Sequence, residues 1–268
     1  GIGSLIGLGG GLAAVRFPTV QAQAARYKPI RLAEPAYPDD PCWRHARNEV
    51  HKSVLELIAQ HKGELSQHLR YHKIYHGDRN KKQIALTFDD GPHAKYTPQL
   101  LDILRKARVH ATFFLVGEMA QRYPDLVRQE VADGHAIGNH TYHHVNLTKI
   151  LEADVATEIK ACGETLQRIT GEPVHLFRPP GGDCDSLVMD TAEALGYQTI
   201  LWTDDPGDYA SPGAQVILQR TLKKAGNGGI ILIHDGITQT IQILPALIRE
   251  LKKRGYTFVT IDAYLKAR

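Results

Sequence analysis

The chain has 268 residues, of which 43% are hydrophobic and 23% charged, as in a soluble globular protein with a sizeable core. Its formal net charge is only +3 at pH 7, and lysine and arginine are spread along the chain, which argues against nucleic acid as a partner. Three cysteines, Cys42, Cys162 and Cys184, form no CxxC pair and leave open one disulfide with a free thiol, or three buried thiols.

The first 24 residues contain a Gly-rich apolar run, followed by small residues that end at Ala22–Ala24. This composition resembles the apolar core and cleavage region of a secretory signal. The run is shorter than the ~20 apolar residues of a membrane-spanning helix. We expect residues 1–24 to be part of a signal or anchor, which predicts a secreted or cell-envelope location and membrane contact only here. A flexible Gly-rich tail is the alternative.

Residues 25–80 are predicted to form a linker and an amphipathic helical extension. Four prolines between residues 25 and 41 favour an extended linker. From Arg44 to about His76, apolar residues recur every three or four positions, which predicts a helix. Six of the 14 histidines lie in this stretch. A solvated helix face explains them better than a metal cluster, because no close histidine pair has a carboxylate beside it.

Short apolar runs alternate with helical segments over residues 81–268. Seven runs are predicted to be strands: Ile84–Phe88, Ala111–Val116, His135–Gly138, Val174–Phe177, Gln198–Trp202, Gly229–Ile233 and Thr257–Ile261. Prolines and glycines mark the helix ends between them, and Thr97 is expected to cap the helix that begins at Pro98. This α/β alternation predicts parallel strands that close into a (β/α) barrel, with an open doubly wound sheet as the competing architecture.

Ionisable residues directly follow five of the predicted strands. They are Asp89 and Asp90, His140 and His144, Arg178, Asp205 and Asp208, and His234 and Asp235. In a barrel the C-terminal ends of the strands lie on one face, where reactive groups gather. The convergence of these residues therefore predicts an active site on that face.

Two of the histidines suggest a metal site. His140 and His144 stand four residues apart, so a helical turn would place both imidazoles on one side. With Asp90 they form a set of two histidines and one carboxylate that suits a divalent metal and leaves open positions. A bound metal would neutralise Asp90 and leave Asp89 ionised as a base for water. A non-haem iron oxygenase uses the same ligand types, but a spare base and acid have no task in that chemistry.

The remaining residues of this face fit hydrolysis. Arg178 is suited to hold Asp89, and His234 is suited to protonate a leaving group, with Asp205 or Asp208 setting its tautomer.

The loop after Arg178 adds two expectations. Two prolines make it rigid, and the Gly181 N–H is suited to face an oxyanion. Asp183 is expected to cap the helix that begins near Ser186.

Four segments carry a family resemblance: "TFDDGPHAKYTPQLLDILRKARVHATFFLVG", "GHAIGNHTYHH", "FRPPGG" and "ILIHD". In order and spacing they resemble the polysaccharide deacetylases of carbohydrate esterase family 4, over residues 84 to about 265. The resemblance implies a distorted (β/α)7 TIM-like barrel and a divalent metal, zinc first and cobalt or nickel next. It also implies an acetylated sugar polymer or oligomer as substrate.

Carried over by position, the resemblance assigns a role to each residue of the predicted site. It makes Asp89 the general base, Asp90, His140 and His144 the metal ligands, Arg178 the holder of the base, His234 the general acid and Asp208 its support. It assigns Trp202 and Leu232 to the acetyl pocket. Gly181 stands where the family usually has an aromatic residue, and Tyr209 where it often has tryptophan, so both loosen the substrate assignment.

Together these features predict a metal-dependent hydrolase. We expect it to remove N-acetyl groups from β-linked N-acetylglucosamine polymers or oligomers, as in peptidoglycan or chitin. An O-acetyl esterase on xylan is one alternative. A carbohydrate-binding relative without catalysis is another, and it is disfavoured because base, metal ligands and acid are all present. The oligomeric state is left open.

Overall fold

The structure, a computed structural model, describes residues 51–266. The predicted signal or anchor at residues 1–24, the predicted linker and Cys42 lie outside this range, so these predictions and the predicted membrane contact are not tested. Among residues 51–266, no helix has both the length and the apolar character needed to cross a membrane. Cys162 and Cys184 are free, buried thiols.

Helices and parallel strands alternate through the described residues. The helices are α1 (Val54–Ser66), α2 (Thr97–Ala107), α3 (Gly117–Arg122), α4 (Pro124–Ala132), α5 (Glu152–Thr170), α6 (Ser186–Ala194), α7 (Ala214–Lys224), α8 (Thr238–Lys253) and α9 (Ile261–Lys266). The strands are β1 (Lys73–Ile74), β2 (Gln83–Gly91), β3 (Thr112–Leu115), β4 (Ala136–Asn139), β5 (Leu176–Phe177), β6 (Gln198–Ile200), β7 (Gly229–His234) and β8 (Thr257–Phe258).

The strands form one sheet in the order β1-β6-β5-β4-β3-β2-β7, and β8 pairs with β2. Successive strands from β2 to β6 are neighbours, without the reversal of order that defines a doubly wound sheet. A parallel bridge between Asp204 and Ile231 joins the segment after β6 to β7, so the β6 side of the sheet meets the strand at its other end. The predicted (β/α)7 barrel-like fold is therefore confirmed, with closure through this bridge as its distortion.

Alternate residues of the strands build two apolar layers, because successive side chains in a strand point to opposite faces. Leu86 and Phe88 of β2 belong to the outer layer, which packs against α2 and α8. Ala85 of β2, Phe114 of β3 and Leu232 of β7 belong to the inner layer. The inner layer fills the barrel and leaves its C-terminal end to the polar residues of the site.

The N-terminal extension differs from the predicted single helix between Arg44 and about His76. Helix α1 covers only Val54–Ser66, and residues 73–74 instead form β1, which pairs with β6. Ser53 caps α1 reciprocally with Glu56. Beyond the helix, His68 has a φ of 61°, a left-handed conformation that breaks helical continuation. The extension packs on the barrel, because Leu57 of α1 is buried in the inner apolar cluster.

The start of α2 also differs by one residue from its prediction. Thr97 is the first residue of the helix rather than its cap, and Tyr96 occupies the N-cap position without a capping hydrogen bond from its side chain. The Thr97 hydroxyl is used elsewhere: it accepts the His93 N–H at 2.6 Å and donates to the Asp235 carboxylate. These bonds connect the residues after β2 to those after β7.

Candidate active site

Asp89 and Asp90 lie at the C-terminal end of β2, where the strand is irregular. Its register against β3 shifts between Asp89 and Gly91, and Asp90 has a φ of 71°. A regular strand would point these neighbouring side chains to opposite faces, whereas a bulge redirects one of them. Both carboxylates consequently approach His140, whose Nε2 lies 3.7 Å from Asp89 Oδ2 and 3.4 Å from Asp90 Oδ1.

Asp90, His140 and His144 form a candidate metal site, because one potential ligand atom from each lies within 4.8 Å of the others. Asp90 Oδ1 is 3.0 Å from His144 Nε2. His140 Nδ1 lies 2.7 Å from the Arg178 carbonyl oxygen, which can only accept, so Nδ1 donates and a neutral ring has its lone pair on Nε2.

A divalent metal fits these three residues. The Nε2 lone pair of a neutral His140 and the buried Asp90 Oδ1 face each other, and Oδ1 has no hydrogen bond within the described part of the chain. Two electron-rich atoms repel at this distance unless a positive charge lies between them. The bond from Nδ1 to a backbone carbonyl is also the usual way in which a ligating histidine is oriented.

The two histidines do not lie on a helical turn, contrary to the prediction. Residues 140–146 form a loop, in which Thr141 and His144 have φ values of 65° and 55°. The rings nevertheless meet, with centroids 4.9 Å apart. Left-handed backbone conformations are uncommon outside glycine, so the loop needs external support.

Two residues that sequence reasoning missed provide this support. Asn139 Oδ1 accepts the Thr141 N–H at 2.9 Å. Glu158 Oε2 accepts the N–H groups of Tyr142 and His143 at 3.1 and 2.9 Å. Side chains that bind backbone amides in this way hold turns in place of regular structure. Glu158 belongs to α5, and no local motif connects it to the loop.

Arg178 follows β5 directly and lies fully buried inside the barrel. Its Nη1 donates to Asp89 Oδ1 at 2.6 Å and to Thr87 Oγ1 at 2.8 Å, and its Nε donates to the Ile200 carbonyl at 3.1 Å. Its guanidinium carbon also lies 4.1 Å from the centroid of the Phe114 ring. A buried charge needs such partners. Because these contacts hold the guanidinium in place, its hydrogen bond in turn fixes the orientation of Asp89.

His234 ends β7, and of the two aspartates considered from its chemistry, Asp208 rather than Asp205 contacts its ring. Asp208 Oδ1 lies 2.7 Å from His234 Nδ1, and Oδ2 accepts the His234 backbone N–H at 2.8 Å. Thr240 Oγ1, which the sequence did not indicate, donates to the same Oδ2 at 2.6 Å.

The electrostatics suit His234 to be a proton donor. Burial lowers the pKa of His234, but Asp208, with smaller contributions from Asp90 and Asp89, outweighs this effect and raises the pKa to about 10. Its Nε2 is buried and has no hydrogen-bond partner among residues 51–266. The protonated ring therefore keeps one N–H for another molecule.

The four predicted substrate-binding residues lie at different depths. Tyr209 is 39% exposed, and its ring centroid lies 5.5 Å from that of His234. Gly181 lies in a short 3-10 helix after Arg178. Trp202 and Leu232 are almost fully buried, and a methyl group added at Gly182 would lie only 2.6 Å from the Trp202 ring. Contact of Trp202 and Leu232 with an acetyl group stays a prediction.

Asp183 does not cap α6, contrary to the expectation. Asp185 does so, because its Oδ1 accepts the Val188 N–H at 3.0 Å. Asp183 instead forms an ion pair with Lys52, in which Oδ1 lies 2.6 Å from Nζ. Asp185, two positions later, accepts a free N–H of the first turn because it stands at the N-cap itself.

The fold and the site define a class of protein, namely (β/α)-barrel proteins with two histidines and one carboxylate at the C-terminal end of the barrel. A family model described as polysaccharide deacetylase matches residues 76–200. The chain is 44% identical over 192 residues to a peptidoglycan-N-acetylglucosamine deacetylase of Bacillus cereus. The aligned region covers 70% of this chain and 90% of that protein. The chain belongs to the polysaccharide deacetylase family, as its motifs predicted.

Two further comparisons agree. The chain is 36% identical over 197 residues to the peptidoglycan-N-acetylmuramic acid deacetylase PdaA of Bacillus subtilis, covering 72% of this chain and 75% of that protein. The solved structure of the Bc1960 peptidoglycan N-acetylglucosamine deacetylase superposes with a TM-score of 0.71 at 33% identity, covering 75% of this chain and 95% of that chain.

Proposed function

We propose that this protein is a metal-dependent N-deacetylase of β-linked N-acetylglucosamine polymers or oligomers, with peptidoglycan as the first candidate substrate. The observation that carries the proposal is that both halves of a hydrolytic site lie at one end of the barrel: Asp89 beside the metal-site residues, and His234 with Asp208. Similarity to two peptidoglycan deacetylases supports an amide rather than an ester as the bond cleaved.

Zinc is the metal that we propose, with cobalt or nickel as functional substitutes. Asp90, His140 and His144 would hold it, since three protein ligands with an open position are typical of catalytic zinc. A divalent cation supplies polarisation of the acetyl carbonyl and a lowered pKa for water.

The chain's own groups perform the proton transfers. Asp89 accepts the proton of the attacking water through Oδ2, because Oδ1 is held by Arg178. The Gly181 N–H donates to the oxyanion that forms on the acetyl group. As the C–N bond breaks, His234 donates its Nε2 proton to the amine nitrogen, and Asp208 stabilises the charged ring until then. Acetate and a free amino sugar are the products.

A secreted or cell-envelope location belongs to the same proposal. Peptidoglycan and chitin lie outside the plasma membrane, so an enzyme that acts on them must reach that side. The apolar, small-residue composition of residues 1–24 supports this location.

Acetate release tests the proposal. Purified protein would be offered N-acetylglucosamine oligomers, peptidoglycan and acetylated xylan, before and after chelation, with zinc or cobalt added back. We expect release from an amino sugar that disappears on chelation and returns with the metal. Release from xylan alone would make the protein an esterase. No release from any substrate, with metal demonstrably bound, would favour a carbohydrate-binding relative.

A further inference from the structure

Two residues that precede α1 lie next to the candidate active site. These residues, His51 and Lys52, are called the strap here. The Lys52 backbone N–H donates to the Gly181 carbonyl at 2.9 Å, and Lys52 Nζ lies 2.6 Å from Asp183 Oδ1. Lys52 therefore binds the loop after Arg178 on both sides of Gly182.

Asp183, the partner of Lys52, also binds residues that follow His144. Asp183 Oδ2 accepts from Asn146 Nδ2 at 3.0 Å and from Thr148 Oγ1 at 2.8 Å. Lys52 Nζ also donates to Gln60 Oε1 of α1 at 2.8 Å. The ion pair between Lys52 and Asp183 is partly exposed, so its own energy is modest. Together with the hydrogen bonds around it, however, it forms a network that restricts several segments at once. It connects the strap, the Gly181 loop and the segment that follows His144.

The external contacts act on the part of the Gly181 loop that follows its two prolines, where the backbone hydrogen bonds from Gly182 to Pro179 and from Asp183 to Pro180 are the internal ones. Gly181 and Gly182 have φ values of 63° and 69°, and neither carries a side chain that could fix its orientation. Glycine also has more conformational freedom than any other residue. The orientation of the peptide groups here matters for the chemistry, because the Gly181 N–H is the proposed oxyanion donor.

The other strap residue places an aromatic ring at the catalytic acid. The His51 ring centroid lies 4.0 Å from that of Tyr209, with the planes 32° apart, and 5.2 Å from that of His234 in an edge arrangement. Burial lowers the pKa of His51 to about 4, so the ring is uncharged at neutral pH. His51 and Tyr209 thus form a continuous aromatic surface beside His234.

We propose that the strap is part of the active site although it precedes the barrel. Lys52 is a positioning residue that holds the Gly181 loop in its productive orientation. His51 is a specificity-determining residue that forms, with Tyr209, the wall against which the sugar ring next to the cleaved acetamide packs. This inference rests on the proposed function, because it concerns the substrate of the same site.

The role of Lys52 is tested with Lys52→Met, which keeps much of the side-chain length and removes the charge. Lys52→Arg is the conservative variant, and Lys106→Met is the matched control, since Lys106 is an exposed lysine whose ion pair is with Asp102 on α2. Two quantities are measured: hydrogen exchange of the Gly181, Gly182 and Asp183 amides in metal-free protein, and the steady-state kinetics of the zinc-loaded enzyme on N-acetylglucosamine oligomers.

We expect Lys52→Met to speed amide exchange in the loop and to lower kcat about tenfold, as for a small misplacement of a catalytic group. Lys52→Arg should keep the exchange rates and kcat close to those of the wild type, and Lys106→Met should change neither quantity. Faster exchange with unchanged kinetics would overturn the positioning role, and so would identical behaviour of Lys52→Met and Lys106→Met in an active enzyme. A wild-type enzyme without deacetylase activity would instead refute the proposed function.

The role of His51 is tested with His51→Ala and His51→Phe. His72→Ala serves as control, because the His72 side chain is 82% exposed and its ion-pair contact is with Glu193. We expect His51→Ala to raise KM for oligomers several-fold with kcat little changed, and His51→Phe to keep KM near the wild-type value. A higher kcat/KM in His51→Ala would overturn the proposal, because the ring would then obstruct the cleft. An unchanged KM would overturn it as well.

Discussion

Arg178 binds Asp89 through a 2.6 Å hydrogen bond from Nη1 to Oδ1, deep inside the barrel. The carbonyl oxygen of the same arginine accepts a 2.7 Å hydrogen bond from His140. One residue therefore orients both the proposed base and a proposed metal ligand. The geometry separates two functions of neighbouring carboxylates, because Asp89 is held by an arginine while Asp90 faces two imidazoles.

Replacing Asp89 by Asn should abolish turnover and leave metal binding intact. The amide oxygen can still accept from Arg178, but the side chain can no longer take a proton from water. Because a positioned general base contributes about 10²–10⁴-fold, kcat should fall by at least ~10². Kinetics and zinc content of the purified variant are the two measurements. Retention of a large share of the wild-type kcat would remove Asp89 from its role.

Asp90→Ala should lose the metal. Asp90 supplies the only carboxylate of the three residues that approach one another in the described part of the chain. Zinc content after dialysis, measured by atomic absorption, reports the loss directly. Asp125→Ala is the control, because Asp125 is 94% exposed and its ion pair is with Arg128 on the surface of α4. Equal zinc content in the two variants would refute the ligand assignment.

Asp208→Asn should shift the basic limb of the pH–rate profile to lower pH. In the folded protein Asp208 is the main cause, ahead of Asp90 and Asp89, that raises the pKa of His234 to about 10, so the ring is protonated throughout the neutral range. Without the carboxylate, burial dominates and lowers this pKa, which leaves less of the acid form above neutrality. The profile of kcat against pH is the measurement.

Asp205→Asn is the matched control for this change, because the Asp205 side chain binds the Gly207 N–H at 2.8 Å rather than His234. We expect its basic limb to stay close to that of the wild type. An Asp208→Asn profile that coincides with the wild-type profile would show that Asp208 does not set the proton affinity of His234.

Asp204→Asn should stabilise the protein at pH 8 and have little effect at pH 4. Burial raises the pKa of Asp204 to about 7, and neither carboxylate oxygen has a hydrogen-bond partner among the described residues. The unfolded chain releases this proton at lower pH than the native state, so stability falls as pH rises from about 4 to about 7. Removing the charge removes that loss, which is of order 1–4 kcal/mol.

Thermal unfolding at both pH values tests this prediction. The melting temperature of the variant should exceed that of the wild type at pH 8, and the two should converge at pH 4. The opposite order, with the variant less stable at pH 8, would mean that Lys224, 3.9 Å away, compensates the buried charge more than burial penalises it.

The sequence predicts the barrel and the convergence of Asp89, His140, Arg178 and His234 because both follow from one rule: parallel strands place their C-terminal ends together. It could not predict the shape of the loop that carries His140 and His144. The four-residue spacing suited a helical turn, whereas the observed loop is stabilised by the Asn139 side chain and by the distant Glu158 carboxylate.

Long-range contacts explain the other differences between the sequence predictions and the structure. The local pattern favoured one continuous helix up to about His76, but Lys73 pairs with Thr199 in the sheet. His51 was predicted on a solvated helix face and lies instead against Tyr209. Neither partner can be identified from neighbouring residues, since strand pairing and ring contacts depend on the folded arrangement. Boundaries and extensions are therefore less predictable than the strand-end residues.

The position of β1 at the edge of the sheet also has a consequence for the order of folding. Lys73 and Ile74 find their partners only when Thr199 and Ile200 of β6 are available, late in synthesis. Until then the backbone of β1 has no strand to pair with, and the apolar side of α1 that contains Leu57 has no barrel interior to cover. Such distant pairing slows folding. The N-terminal extension should therefore dock after the central strands, as the step that completes the sheet.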